Sequence, residues 1–313
     1  MTAKADTLTG NQLQEKFRTW LSPPDPFINH DTACKTQHTG TARWFIRGST
    51  FRDWKEKGSL LWIRGNRTLL PPTLIVWRFT PLIPQPVRVK ASSGTRFFVS
   101  VCSKKFMLSI SSAMIEDIKN TREDRSALVT YHYFDYKDAS KRHVRGLLES
   151  LLFQLCHDSD SCRDVLYQLY KTCREGSQRP SDVSLARCLK SMVELPGQLP
   201  IFIMMDALDE CPNTTGFPSA RDEVLSFVED LVGSNHSNLF ICVTSRPEQD
   251  IHAVLNLLTS SSCCVALHEE SGQKEDINNY VRSVVHTDRA MRRWKEEDKE
   301  HVINVLTERA GGM

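Results

Sequence analysis

Short apolar runs alternate with amphipathic helical patterns along most of this chain. Runs this short and this apolar are typical of strands buried on both faces of a parallel sheet. Helical spacing between them indicates helices that cover such a sheet on both sides, and hence a three-layer α/β fold. The runs that predict strands are 60–65, 127–134, 201–206, 238–245 and 263–267.

The helices are predicted from apolar residues that recur every three or four positions. Val144, Leu147, Leu148, Leu151, Leu152 and Leu155 form one continuous stripe, for example. From residue 273 onward the pattern becomes entirely helical and charged. The predicted helices are 12–20, 107–118, 144–155, 162–174, 183–195, 220–232 and 249–258.

Three carboxylates follow the most apolar of these strands, at Asp206, Asp209 and Glu210. At the carboxyl end of a parallel strand an Asp can hold Mg²⁺, directly or through water. A Glu a few residues later can orient or deprotonate an attacking water. The segment is therefore predicted to be a Walker B strand, in which Asp206 binds the metal and Asp209 and Glu210 lie near the attacking water. A core strand followed by an acidic helix cap is the alternative.

The next strand ends in hydroxyls and an arginine, Thr244-Ser245-Arg246. Beside a Walker B strand, Thr244 and Arg246 can contact a γ-phosphate, because Arg offers several charged donors to phosphoryl oxygens. A helix N-cap with Pro247 in the first turn is the other interpretation.

The segments ALDEC and VTSRPE, together with the upstream stretch from Ala42 to Gly65, resemble the NACHT-type NTPases of fungi that carry a nephrocystin-type N-terminal module. These belong to the STAND class of signalling NTPases, and the resemblance spans residues 40–313. It implies a P-loop NTPase fold that binds ATP or GTP with Mg²⁺. It also implies a switch between monomer and oligomer in self/non-self recognition or programmed cell death.

The chain departs from that family at the phosphate loop. Family members place G-x-x-x-x-G-K-[ST] after the first strand, where backbone N–H groups cradle the phosphates and Lys neutralises them. No such motif occurs here. Gly65 ends the first strand where the loop should begin. In family register, Lys105 replaces the phosphate-contacting lysine and Phe106 replaces the Mg²⁺-binding Ser/Thr.

The intervening residues 67–104 differ in composition from their surroundings. No Asp or Glu occurs between residues 57 and 115, and five prolines interrupt any periodic pattern. We expect an anomalous, disordered insert. Three explanations stay open: translated non-coding sequence that replaced the loop, a real insertion in a non-hydrolysing homologue, and a basic recognition loop.

The predicted organisation has three parts: a linker with a short helix (1–39), an NTPase core (40–268), and the beginning of a helical lid that the chain truncates (269–313). Ten cysteines without paired C-x-x-C spacing indicate buried thiols in a reducing compartment. No membrane span, signal peptide or nucleic-acid-binding motif is present. We therefore expect a cytoplasmic protein with neither membrane nor nucleic acid as partner.

Two functional hypotheses remain from the sequence. In the first, the chain is a nucleotide-binding NTPase module of a STAND signalling protein, impaired by the missing loop and hydrolysing little or nothing. In the second, it is a truncated, nucleotide-independent scaffold that self-associates or docks on related NTPases.

Overall fold

The structure, a computed structural model, describes residues 10–25, 27–36, 42–65, 93–120, 127–214, 216–267, 270–287 and 293–310. Its helices are α1 (Gly10–Leu21), α2 (Phe27–Thr36), α3 (Arg43–Arg47), α4 (Ser49–Lys57), α5 (Ser93–Asn120), α6 (Val144–Asp158), α7 (Asp160–Thr172), α8 (Asp182–Val193), α9 (Ala220–Gly233), α10 (Gln249–Leu258), α11 (Ser271–Thr287) and α12 (Glu296–Ala310).

Within the described residues, five strands form one sheet in which every observed pairing is parallel. The strand order is β2-β3-β4-β1-β5. All five coincide with apolar runs that predicted strands. Their bounds are β1 (Ser59–Arg64), β2 (Leu128–Tyr133), β3 (Ile201–Asp206), β4 (Leu239–Ser245) and β5 (Cys264–Ala266).

The sheet is covered by helices on both faces, which confirms the predicted three-layer α/β fold of P-loop NTPase type. Alternate residues of each strand point to opposite faces, so each strand contributes to two apolar cores. Leu60 and Ile203 belong to the core under α1, α6, α7, α8, α9 and α10. Leu61 and Phe202 belong to the core under α3, α4 and α5.

The N-terminal segment predicted as a linker contains two helices. The first, α1, packs on the core, where Phe17 and Trp20 are buried and the Trp20 indole N–H donates to the Gln178 carbonyl at 2.8 Å. The second helix, α2, had no counterpart in the sequence prediction. It lies against α5.

The helix predicted from Met107 is present, but α5 begins earlier, at Ser93. Residues 93–104 are therefore helical in a segment where the sequence predicted no periodic element. Residues 67–92 lie outside the described part of the chain.

Two helices, α11 and α12, pack together where the helical lid was predicted to begin. Val281, Val285 and Ile303 are buried between them, and Arg282 forms an ion pair with Glu300. Among the described helices, none combines the length and the apolar character that crossing a bilayer requires.

Candidate functional site

The strand order places the carboxyl ends of β3, β4 and β1 side by side at one end of the sheet. The helix after β1, α5, covers one face, whereas α9 and α10, which follow β3 and β4, cover the other. In such sheets, the crevice between adjacent strands whose helices leave on opposite faces is the usual ligand site. A cleft lies there, lined by Gly65, Met107, Asp206, Ala207, Asp209, Glu210, Thr244, Ser245 and Arg246.

Asp206, at the end of β3, is the buried acid of this cleft. Its Oδ1 accepts hydrogen bonds from the Thr244 hydroxyl, at 2.7 Å, and from the Ser111 hydroxyl of α5. Burial raises the pKa of Asp206 to about 6, because desolvation outweighs the two hydroxyl bonds, and the nearby Glu210 and Asp209 charges add to the rise.

The second carboxylate oxygen of Asp206, Oδ2, is buried and has no hydrogen-bond partner among the described residues. Buried polar atoms normally have partners, and a charged one without a partner is costly. This atom therefore marks where a ligand or cation would complete the site.

A sharp backbone turn separates Asp206 from the two other acids. Ala207 has φ 58°, the left-handed region, and its N–H donates to the Thr244 hydroxyl at 3.0 Å. A short 3₁₀ turn over Leu208–Glu210 follows. Thr244 therefore bonds both the Asp206 carboxylate and the turn that carries Asp209 and Glu210.

Asp209 is joined to the end of β4. Its Oδ1 accepts from the Arg246 backbone N–H at 3.0 Å, and its Oδ2 lies 3.6 Å from the Arg246 Nε. About half of the Arg246 side chain is exposed. From behind, the buried Arg221 of α9 donates to the Asp209 carbonyl at 2.7 Å.

Glu210 is the last residue of the 3₁₀ turn. Its Oε2 accepts from the Tyr136 backbone N–H at 3.3 Å, which connects the turn to the loop after β2. Glu210 is partly exposed. Asp209 and Glu210 thus both line the cleft, and Asp209 is held by Arg246 while Glu210 is held by a longer contact.

Gly65 borders the cleft at the end of β1, where its N–H donates to the Ser245 carbonyl at 3.0 Å. A Cβ at Gly65 would meet no described heavy atom within 4 Å, so no described residue fills the space beside this backbone. Lys105 lies inside α5, two residues before Met107. Its side chain lies outside the described part of the structure.

The potential metal ligands around the Asp206 carboxylate fit Mg²⁺. The set consists of oxygens, namely the carboxylates of Asp206 and Glu210 and the hydroxyls of Ser111 and Thr244, and Mg²⁺ prefers oxygen ligands. The orphaned Oδ2 of Asp206 is the atom that a cation would neutralise.

Sequence reasoning missed two residues of this site. Ser111 donates to Asp206 from α5, whereas the family register had placed Phe106 in the hydroxyl position. Arg221 supports the acidic turn from α9. For Ser111 a signal existed, since the run Ser109-Ile-Ser-Ser112 puts hydroxyls into the otherwise apolar stretch 107–115 of this helix. For Arg221 no local signal existed.

In a comparison with known families, residues 107–246 match the family model described as Nephrocystin 3, N-terminal. No curated protein matches the chain. The family match covers less than half of the chain and supports a nephrocystin-type N-terminal domain over those residues. It runs from Met107 to Arg246, both of which line the cleft, and it begins after the anomalous segment.

Proposed function

We propose that this chain is a nucleotide-binding module of the NACHT type within a STAND-class signalling protein, and that its cleft takes ATP or GTP with Mg²⁺. The observation that carries the proposal is the buried, unpartnered Oδ2 of Asp206 at the crevice between β1, β4 and β3. The family match over residues 107–246 supports it.

Each cleft residue has a role in this proposal. Asp206 would hold Mg²⁺, which supplies positive charge to the phosphates when bound. Thr244 and Arg246 would contact the γ-phosphate, while Asp209 and Glu210 would orient a water near it. The space beside Gly65 would admit the phosphate chain. The proposed setting is a fungal self/non-self recognition or NLR-like protein in the cytoplasm.

Hydrolysis should be slight, because the chain lacks the donors that a phosphate loop provides. Backbone N–H groups in the interior of α5, around Lys105, are used by the helix itself. Each missing charge-assisted bond removes about 1.5–3 kcal/mol of binding free energy. The missing phosphate loop also favours the second candidate function, a nucleotide-independent scaffold that self-associates or docks on related NTPases.

The deciding experiment is titration of the purified chain with fluorescent ATP and GTP analogues in the presence of Mg²⁺. Saturable binding that Asp206→Ala abolishes would support the nucleotide site. Asp164→Ala is the matched control, because Asp164 is an exposed carboxylate on α7. Absence of binding up to millimolar nucleotide would refute the proposal and leave the scaffold, for which light scattering would then measure self-association.

A further inference from the structure

A second group of potential ligands lies away from the cleft, where α2 packs against α5. His30 and Cys34 occupy one face of α2, four residues apart, and Glu116 faces them from α5. Their Nε2, Sγ and carboxylate oxygen atoms all lie within 4.8 Å of one another. The His30 Nε2 is 3.7 Å from the Cys34 Sγ and 3.0 Å from the Glu116 Oε1.

These separations are close to those of a tetrahedral zinc site. Zinc bonds of about 2.0 Å to nitrogen or oxygen and about 2.3 Å to sulfur put neighbouring ligand atoms roughly 3.2–3.6 Å apart at the tetrahedral angle. The two distances from the His30 Nε2, 3.7 Å to sulfur and 3.0 Å to oxygen, differ from these values by only a few tenths of an ångström, and the Cys34 Sγ lies within 4.8 Å of the Glu116 carboxylate oxygen.

The buried imidazole of His30 is already oriented by a second contact. Its Nδ1 lies 3.0 Å from the phenol oxygen of Tyr133, which is buried on β2. If Nδ1–H donates to Tyr133, the lone pair of Nε2 points toward Cys34 and Glu116. Metal-bound histidines usually have such an outer partner on the other ring nitrogen.

The charge state of His30 also suits a metal, whereas Cys34 and Glu116 must each give up a present partner or proton. Burial lowers the pKa of His30 despite the Glu116 contact, so the ring is neutral at neutral pH, as a ligand must be. Burial raises the pKa of the Cys34 thiol, so zinc must displace its proton. Lys119, whose Nζ lies 3.5 Å from the Glu116 Oε1, would compete for that carboxylate.

We propose that His30, Cys34 and Glu116 form a zinc site with water as the fourth ligand. Thiolate, imidazole and carboxylate together favour Zn²⁺ over Mg²⁺ or Ca²⁺. Binding releases the thiol proton of Cys34 to solvent and changes no oxidation state. The two anionic ligands neutralise the ion, and the buried imidazole adds no charge.

Such a site would link α2, in the N-terminal segment, to α5, the helix that contributes Ser111 beside the cleft. Glu116 lies on α5, as does Ser111, which donates to Asp206. The zinc site is otherwise separate from the proposed nucleotide site, since its ligands are not among the residues that line the cleft.

The test is Co²⁺ titration of the full chain under reducing conditions, because a cobalt–thiolate bond gives a near-ultraviolet charge-transfer band. We expect a band that saturates near one equivalent and disappears when Zn²⁺ is added. At zinc concentrations about 100-fold above Kd, Tm should rise on the order of 5 °C. Cys34→Ser should abolish the band, and Tyr133→Phe should weaken Co²⁺ binding about 10–100-fold.

The controls separate this site from other metal binding. Cys173→Ser removes a partly buried thiol elsewhere and should retain the band. Asp206→Ala should also retain it, even if that variant loses nucleotide binding. The surface cluster of His286, Glu296 and Glu300 contains no thiol and cannot produce the band.

Two results would overturn the proposal. One is a chain, folded by circular dichroism, that shows neither a band nor a zinc-dependent Tm. In that case His30 Nε2–H simply donates to Glu116 and the Tyr133 hydroxyl donates to Nδ1. The other is a band that survives in folded Cys34→Ser.

Discussion

At the scale of single residues, the surroundings of Asp206 both stabilise and destabilise its charged form. Two hydroxyls stabilise its charge through Oδ1, yet burial, the nearby acids and the unpartnered Oδ2 oppose that charge. Above its raised pKa, the folded protein therefore contains a buried carboxylate that a bound cation would stabilise.

This conflict predicts a pH-dependent stability that Asp206→Asn removes. The pKa of Asp206 is raised from 3.8 to about 6 on folding, so the folded state binds this proton more tightly than the unfolded state. The stabilisation of the folded state by this proton is fully present below the unfolded pKa of 3.8, and it is lost as pH rises through the folded pKa of about 6. Relative to Asp206→Asn, the wild type should lose about 2 kcal/mol of unfolding free energy between pH 4 and 7.

Urea unfolding of the wild type and of Asp206→Asn across this pH range measures the difference between their unfolding free energies. All other titrating groups are common to both proteins, so their contributions cancel in that difference. Millimolar Mg²⁺ should reduce the loss, because a cation at Oδ2 favours the carboxylate form. A difference in unfolding free energy that does not change with pH would show that Asp206 titrates alike in the folded and unfolded states.

Thr244 offers a second test at this scale. Thr244→Val removes the hydroxyl that donates to Asp206 and accepts from the Ala207 N–H, while keeping the shape of the side chain. We expect a loss of about 2–3 kcal/mol in unfolding free energy at pH 7. Thr130→Val is the control: Thr130 is equally buried, and its hydroxyl makes one long bond of 3.3 Å to the Leu151 carbonyl. Equal losses in the two variants would contradict this account.

At the scale of elements, the strands present the acids and the helices hold them in position. The sequence predicted Asp206, Asp209 and Thr244 at strand ends, because a short apolar run shows where a buried strand stops. Ser111 reaches the site from α5, 95 residues away from Asp206 along the chain, and Arg221 reaches it from α9, 12 residues away from Asp209. The hydroxyl run 109–112 marks Ser111 in the sequence, but only tertiary packing shows which groups these two side chains contact. The α2 sequence, FINHDTACKT, is rich in weak helix formers, and its contacts with α5 explain a helix that propensity does not indicate.

Arg221 tests the support that α9 gives to the acidic turn. Its guanidinium donates to the Asp209 and Cys211 carbonyls and pairs with Asp250 at 3.1 Å. Arg221→Lys keeps the charge but loses this planar set of donors. It should cost about 2–4 kcal/mol of unfolding free energy, because buried acceptors lose their partners.

If the nucleotide site exists, Arg221→Lys should also weaken analogue binding, since the Asp209 backbone would shift. Arg187→Lys on the exposed face of α8 is the matched control and should change neither measurement. Unchanged unfolding in Arg221→Lys would show that the turn holds its position without the guanidinium.

At the scale of the whole molecule, the fold forms a crevice at the strand ends, while the sequence lacks the phosphate loop that the proposed nucleotide site would use. The parallel sheet and its two cores were predictable from the strand pattern. The order β2-β3-β4-β1-β5 was not, because no local signal says that β4 lies between β1 and β3. That order brings Gly65 beside Ser245 and Asp206 beside Thr244, so the cleft is a property of topology as much as of motifs.

Replacing the segment between Gly65 and Met107 with a G-x-x-x-x-G-K-[ST] loop would test whether the rest of the site is competent. If it is, two added charge-assisted bonds of about 1.5–3 kcal/mol each should raise the affinity for ATP or GTP analogues at least about 100-fold. Asp206→Ala in the same chimera should remove the gain, because the loop alone cannot supply the metal-side acid. A folded chimera with no gain in affinity would mean that the β3 and β4 ends no longer support nucleotide binding, and it would favour the scaffold function.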